Sequence, residues 1–170
     1  MDSSSYDFQT QLRIGRQYEQ AIRKYFEEAW GWRFLAASKG GQQRGIDYFV
    51  TNLDGLVFSV EIKADFVAGR TGNIFVETWS NVATKKRGWA FTSCAQILLY
   101  GVPEMNVLYK VEMLAFKYAL SEWSMLYPEK EVQNNGWIAR GLLVPIDSLF
   151  DLNCTEVFED IDFILTELEE

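Results

Sequence analysis

The first apolar pattern along the chain has the three- and four-residue spacing of an amphipathic helix. Between residues 8 and 30 it places six side chains on one stripe: Tyr18, Ala21, Ile22, Tyr25, Phe26 and Ala29. Gly31 follows directly, and glycine is common at the end of a helix. The pattern therefore predicts an N-terminal helix that ends at Gly31.

Three runs rich in β-branched and aromatic residues come next, and turns that contain glycine separate them. They cover Gly45–Thr51, Val57–Asp65 and Asn73–Ser80. Because the connections are short, these runs predict a three-stranded meander in one sheet.

The rest of the chain alternates between strand-like and helix-like patterns. It predicts a short helical turn near Thr92, strands at Gln96–Tyr100 and Val107–Val111, a helix at Met113–Leu126, an extended run at Trp137–Val144 and an acidic helix at Glu159–Glu170. No repeat, low-complexity tract or linker divides the sequence. We therefore expect one α/β domain over residues 1–170, with a mixed central sheet flanked by helices.

The strand predicted at Val57–Asp65 separates apolar from charged side chains by alternation. Its even positions are apolar, and its odd positions are Ser59, Glu61, Lys63 and Asp65. A three-residue loop closed by Gly55 sets Asp47 opposite Glu61 across the hairpin. A two-residue turn would instead place Asp47 on the apolar face, so core burial selects the register that brings the two carboxylates together.

Composition narrows the chemistry that such a cluster can perform. The 170 residues include no histidine, which removes Ser-His-Asp triads, histidine general bases and histidine-containing zinc sites. Cys94 and Cys154 lie far apart without a CxxC spacing, which favours neither a disulfide framework nor a zinc ribbon. Two carboxylates and a lysine on one sheet face suit phosphodiester hydrolysis, because carboxylates bind Mg²⁺ and an ammonium can orient water and stabilise charge.

These residues resemble a known family. Asp47 and the later Glu61-Ile62-Lys63, which follow a helix and frame a hairpin, are similar to the PD-(D/E)XK nuclease superfamily, although Ile46 replaces the proline of the motif. The segments FVETWS and KKRGW resemble Holliday-junction-resolvase-like and restriction-type nucleases. The resemblance implies a restriction-endonuclease-like core in αβββαβ order over roughly residues 10–111, followed by a helix-strand-helix extension.

By this resemblance the protein would be a DNA endonuclease that depends on Mg²⁺, with Mn²⁺ as a substitute. Asp47 and Glu61 would bind the metal and Lys63 would be catalytic. Glu19 and Glu77 would assist as further metal ligands. Cleavage of both strands of a duplex, or of a junction, implies a homodimer.

Simpler roles remain open for some of these residues. Glu19 could be a solvated residue of the first helix paired with Arg23, four positions on, and Glu77 an exposed strand residue. We expect Asp65, at the end of its strand, to have a turn role.

Charge is distributed unevenly along the chain. The net charge is -8, but residues 1–100 carry 12 Lys and Arg against 10 Asp and Glu, whereas residues 101–170 carry 4 against 14. The cluster Lys85, Lys86 and Arg87, with Arg70 near it in sequence, is a candidate DNA-binding surface, unless it is only a solvated loop. The first helix offers a second basic group: Arg13, Arg16, Arg23 and Lys24.

The longest apolar runs are too short to span a membrane, and the N-terminal residues lack the pattern of a signal peptide. We therefore expect a cytoplasmic protein without a membrane partner. An alternative function is a catalytically inactive nuclease-fold protein that acts as a binding or assembly module through its acidic C-terminal third. A DNA mimic is a third alternative.

Overall fold

A computed structural model of the protein describes residues 8–152, 155–159 and 161, and for residues 8–12 the helical backbone only. Within these residues the chain forms five α-helices and ten strands. The helices are α1 (Phe8–Trp30), α2 (Lys39–Gln42), α3 (Ala68–Thr71), α4 (Trp89–Thr92) and α5 (Met113–Leu126). The strands are β1 (Arg33–Ala36), β2 (Tyr48–Thr51), β3 (Val57–Ala64), β4 (Asn73–Asn81), β5 (Lys86–Arg87), β6 (Ile97–Val102), β7 (Val107–Glu112), β8 (Glu129–Gln133), β9 (Ile138–Pro145) and β10 (Glu156–Phe158).

The strands form two sheets. The larger sheet has the order β1-β2-β3-β6-β7-β10 and is mixed, because β3 and β6 are parallel while its other neighbours are antiparallel. The smaller, antiparallel sheet has the order β5-β4-β9-β8. The protein is therefore an α/β protein with a mixed central sheet and helices, as the sequence predicted.

Two apolar clusters lie on opposite faces of the larger sheet. On one face, α1 packs Tyr18, Ile22 and Phe26 against Val60 and Ile62 of β3. On the other face, β6 and β7 pack with the smaller sheet and α5 through residues that include Leu98, Val111, Phe116, Val76 and Leu142. Fully burying one such side chain contributes about 1.5–3 kcal/mol, so the centre of β6, whose Leu98 and Leu99 belong to the two different clusters, is fixed from both sides.

The first helix and the hairpin register agree with the sequence-based predictions. Helix α1 ends at Trp30, directly before Gly31. In the hairpin, Tyr48 pairs with Val60 and Val50 pairs with Phe58, which is the predicted register. The paired residues of β2 begin at Tyr48, and Asp47 directly precedes them.

The predicted meander is wrong in its third strand. Strand β4 pairs with β9 in the smaller sheet, and the third strand of the antiparallel meander is instead β1, before β2. The reason lies after β3, where Asp65 begins a turn into α3 and the chain leaves the larger sheet. The sequence did not predict β1, because its four residues are mostly exposed and do not alternate.

The C-terminal part differs from the predicted helix-strand-helix extension. After α5 the chain forms three strands, of which β8 has only exposed residues and therefore no apolar pattern. The acidic helix predicted at Glu159–Glu170 lies almost wholly outside the described residues. No helix in the described ranges is long and apolar enough to cross a bilayer.

Asp65 has the turn role expected of it and also joins several elements. Its Oδ1 accepts hydrogen bonds from the backbone N–H groups of Val67 and Ala68, each at 2.9 Å. Its Oδ2 accepts bonds from the Phe75 N–H at 3.0 Å and from the Tyr100 hydroxyl at 2.8 Å. One carboxylate thus fixes the end of β3 to α3, β4 and β6.

Candidate active site

Glu61 and Lys63 form an ion pair on the β3 face that points away from α1. Lys63 Nζ lies 2.7 Å from Glu61 Oε1, and the Glu61 side chain is only 3% exposed. Burial raises the pKa of Glu61, and the neighbouring ammonium partly opposes this shift. The two side chains point the same way because they are two positions apart on a strand.

The second oxygen of Glu61 has no hydrogen-bond donor among the described residues. Ser93 lies beside it, but its hydroxyl donates to the Gly45 carbonyl at 3.0 Å, and one hydroxyl has only one proton to donate. A buried carboxylate oxygen without a donor is costly. This oxygen is therefore suited to a cation or to a water molecule.

Gly45 makes the close packing around that oxygen feasible. Its φ is +69°, and a Cβ at this position would lie 2.9 Å from Ser93 Cα and 3.1 Å from Glu61 Oε2. Any side chain here would be strained and would press on the carboxylate. The sequence analysis did not select Gly45 or Ser93, because neither belongs to a motif.

Asp47 lies directly before β2, and its charge acts on Glu61. Its Oδ2 accepts a hydrogen bond from the Ile62 N–H at 2.7 Å, and its own N–H donates to the Val60 carbonyl at 2.8 Å. The carboxylate oxygen thus accepts a hydrogen bond from β3 that a backbone carbonyl of the neighbouring strand would otherwise accept. Its orientation beside Glu61 is therefore fixed by β3 itself.

Glu19 of α1 lies close enough to Asp47 and Lys63 for their charges to act on it. Burial and the Asp47 charge raise the pKa of Glu19 to about 7, against the effects of Lys63 and Arg16. The alternative ion pair with Arg23 does not form, since Arg23 contacts Glu27 at 3.3 Å. Glu19 therefore belongs electrostatically to the cluster around Lys63.

Glu77 reaches the same cluster from the smaller sheet. Its Oε1 accepts a hydrogen bond from the Trp89 N–H at 3.4 Å. Burial raises the pKa of Glu77, which that hydrogen bond, Lys63 and Lys86 partly oppose. At Gly88, an added Cβ would lie 2.2 Å from the Glu77 carbonyl oxygen, so only glycine allows β4 to approach α4 this closely.

Lys63 is the common neighbour of all four carboxylates. Burial acts to lower its pKa, but Glu61, Asp47 and Glu19 raise it, and the net pKa lies above the ordinary value. Its Nζ also lies 5.8 Å from the centre of the Trp89 ring. Lys63 is therefore an ammonium at neutral pH, within a cluster whose negative groups outnumber it.

The carboxylates surround Lys63 instead of forming a compact metal cage. Across residues 8–152, 155–159 and 161, no three acidic or cysteine side chains form a group that could hold a metal ion together. Magnesium does not require such a group, because it binds through one or two carboxylates plus waters and substrate phosphate. Glu61 and Asp47, whose charge acts on it, fit that requirement best.

The candidate DNA-binding residues have different surroundings. The Arg87 guanidinium lies between the rings of Trp79 and Phe91, 4.4 and 4.3 Å from their centres, and Arg70 pairs with Glu104 at 3.0 Å. Two further residues are exposed: Lys85 at the turn between β4 and β5, and Lys86 in β5. Of these four, Lys86 is the one whose charge acts on a carboxylate of the cluster.

Comparisons with protein-family models, with curated proteins and with solved structures found no match to this chain. The function of the cluster is therefore inferred from its own geometry and from the sequence motif.

Proposed function

We propose that the protein is a Mg²⁺-dependent endonuclease that hydrolyses DNA phosphodiester bonds. Asp47 and Glu61 hold the metal, Glu19 and Glu77 assist, and Lys63 is the catalytic lysine. Mn²⁺ can replace Mg²⁺, and cleavage of two strands requires a homodimer, which sedimentation velocity would detect.

One observation carries the proposal: the Lys63–Glu61 pair lies beside the oriented carboxylate of Asp47. An exposed ion pair on an ordinary hairpin would contribute little to stability and would need no third carboxylate. Here Glu61 is 2% exposed and one of its oxygens has no donor in the described part of the chain. Burying a carboxylate in this way lowers the stability of the fold, and such an arrangement is typical of a functional site.

The order of elements supports the fold that the sequence motif implies. Helix α1 is followed by the antiparallel strands β1, β2 and β3, and then by the short α4 and by β6, which is parallel to β3. This is the αβββαβ order, with the short α2 inserted between β1 and β2 and with α3, β4 and β5 inserted after β3. We include a restriction-endonuclease-like core in the proposal on this basis.

In this proposal Lys63 acts through its charge. An ammonium has three N–H bonds, and the contact with Glu61 uses one of them, so another can orient the attacking water. The raised pKa of Lys63 keeps the positive charge that stabilises the developing negative charge on phosphorus. When bound, Mg²⁺ would supply an activated water and polarise the phosphate.

The test is cleavage of a supercoiled plasmid and of a four-way DNA junction in Mg²⁺, compared with EDTA. We expect Lys63→Ala and Asp47→Asn each to lower the cleavage rate by about 100-fold or more, because each removes a group that acts on the reacting atoms. Lys130→Ala and Asp54→Asn are matched controls, since both residues are exposed. Full activity of the two site variants would refute the proposal.

The catalytically inactive binding or assembly module is the second candidate. Two observations favour it: Lys63 occupies one oxygen of Glu61, and the described residues hold no ready-made metal group. Calorimetry with Mn²⁺ separates the two candidates. Absence of metal binding, together with no cleavage of any DNA form, would select the inactive module.

A further inference from the structure

The sheet face that carries the candidate active site continues into an exposed apolar surface. Leu35 of β1, Phe49 of β2 and Val57 of β3 are 71%, 40% and 62% exposed. Leu35 pairs with Phe49 and Phe49 pairs with Ser59 across the three strands. We call the surface of Leu35, Phe49 and Val57 the apolar platform.

The platform adjoins the cluster around Lys63. Phe49 pairs with Ser59, which shares a face of β3 with Glu61, two positions or roughly 7 Å further along the strand. Large apolar side chains on a single exposed sheet face mark a binding surface more often than isolated ones do. A ligand that lies on Phe49 would therefore extend directly to the carboxylates.

Basic residues without acidic partners lie on β1 and on the connection from β1 to β2, the two strands that carry Leu35 and Phe49. Residues 29–46 include Arg33, Lys39 and Arg44 but no Asp or Glu, and all three are exposed. Among the described residues none of them forms an ion pair. In contrast, Arg70 is paired with Glu104. These three cations are therefore available to an anionic ligand.

We propose that the apolar platform, with Arg33, Lys39 and Arg44 around it, binds an unpaired strand of DNA next to the active site. The inference rests on the proposed nuclease function and deepens it, because it makes the substrate a DNA with a single-stranded segment, such as a flap or an opened junction.

The chemistry of the surface selects an unpaired strand over a duplex. In a duplex the base faces are stacked against each other, so a protein surface meets phosphates, sugars and groove edges. An unpaired base exposes its flat apolar face, which stacks on aromatic side chains such as Phe49. Arg33, Lys39 and Arg44 would contact the phosphates of the same strand.

The test measures the binding of fluorescein-labelled oligonucleotides by fluorescence anisotropy. EDTA is present, so that binding is measured without cleavage. The probes are a 20-nucleotide oligo-dT, a 20-base-pair duplex and a 20-nucleotide oligo-rU. We expect oligo-dT to bind at least about tenfold more tightly than the duplex, because stacking on Phe49 requires an unpaired base. Equal affinity for the duplex, or binding to oligo-rU alone, would overturn the proposal.

Two variants separate the contribution of base stacking to the affinity from the contribution of the phosphate contacts. Phe49→Ala should weaken oligo-dT binding by about tenfold and leave the salt dependence unchanged. The triple variant R33A/K39A/R44A should lower the slope of log affinity against log salt by about 2, since each phosphate contact to a single strand contributes roughly 0.7.

Tyr118→Ala and Lys130→Ala are the matched controls. Tyr118 is an aromatic residue on α5 that is 75% exposed, and Lys130 is an exposed basic residue of β8. Both variants should bind oligo-dT like the wild type. Circular dichroism confirms that each variant is folded, and Leu35→Ser provides a second test of the platform if Phe49→Ala is unstable.

The outcomes separate this inference from the proposed function. If the plasmid is cleaved but neither the Phe49 variant nor the triple variant loses affinity, the platform proposal is wrong and the nuclease proposal stands. If oligo-dT binds as expected but no DNA is cleaved in Mg²⁺, the platform proposal stands and the nuclease proposal is wrong.

Discussion

At the scale of single residues, Glu19, Glu61 and Glu77 are held near Lys63 in an environment that raises the pKa of each and so favours its protonated form. Burial is the largest cause for Glu19, Glu61 and Glu77 alike, and negative neighbours add to it. A group whose pKa is raised by folding binds more protons in the folded state than in the unfolded state. The cluster therefore makes the metal-free protein less stable as the pH rises.

Glu19 gives the most direct prediction, because its pKa is raised from 4.5 to about 7. The stability that its protonation contributes is fully present below pH 4.5 and is lost as the pH rises through about 7. We expect Glu19→Gln to remove this loss, so that it gains on the order of 1 kcal/mol relative to the wild type between pH 5 and pH 8, after allowance for solvent screening.

The measurement is urea unfolding of both proteins in EDTA at the two pH values. Glu28→Gln, which replaces an exposed carboxylate of the same helix, should follow the wild type. Parallel pH profiles for Glu19→Gln and the wild type would contradict the prediction.

At the scale of secondary-structure elements, the position of β4 depends on the single carboxylate of Asp65. This side chain accepts one hydrogen bond from the Phe75 N–H of β4 and one from the Tyr100 hydroxyl of β6. It accepts two more from the N–H groups of Val67 and Ala68 in the turn into α3. The chain therefore leaves the larger sheet at Asp65 and begins the smaller one.

Replacing Asp65 should therefore cost more than replacing any one of its partners. Asp65→Ala leaves donors of four residues without their acceptor, and we expect it to lower the free energy of unfolding by about 2–4 kcal/mol. Tyr100→Phe removes only one of these bonds and should cost about 1 kcal/mol. Urea denaturation measures both, and equal losses would show that Asp65 does not join the elements.

The sequence predicted those elements whose local pattern reflects their burial. The stripe of α1 and the alternation of β3 are local, and core burial fixed the register of Asp47 against Glu61. The sheet to which β4 belongs is not a local property, because it depends on pairing with β9 far along the chain. Strands β1 and β8 were missed because exposed residues carry no apolar pattern.

The residues of the candidate site also divide into those that a local sequence pattern predicts and those that only the fold brings together. The motif residues Asp47, Glu61 and Lys63 could be found from parity and spacing. The arrival of Glu77 beside Lys63 depends on the fold of the smaller sheet and on the close approach at Gly88. The basic residues of the β1–β2 connection could have been found from the absence of acidic residues between positions 29 and 46.

At the scale of the whole molecule, metal binding at the proposed site should stabilise the folded state, because Asp47 and Glu61, the two proposed ligands, come together only when the sheet forms. At ten times its dissociation constant, Mg²⁺ would add about 1.4 kcal/mol and raise the melting temperature by about 3 °C. Differential scanning fluorimetry at pH 8 should show this rise for the wild type and for Asp54→Asn. An equal rise for Asp47→Asn would contradict the assigned metal site.

The pairing of β4 with β9 also has a consequence for the order in which the protein is made and folded. Val76 of β4 lies opposite Leu142, and Glu77 lies opposite Gly141, so these strands can pair only after β9 has left the ribosome. Closing so long a loop comes late in folding. A nascent chain can hold Asp47, Glu61 and Lys63 on one sheet before Glu77 joins them, and the complete cluster exists only once β9 has been made.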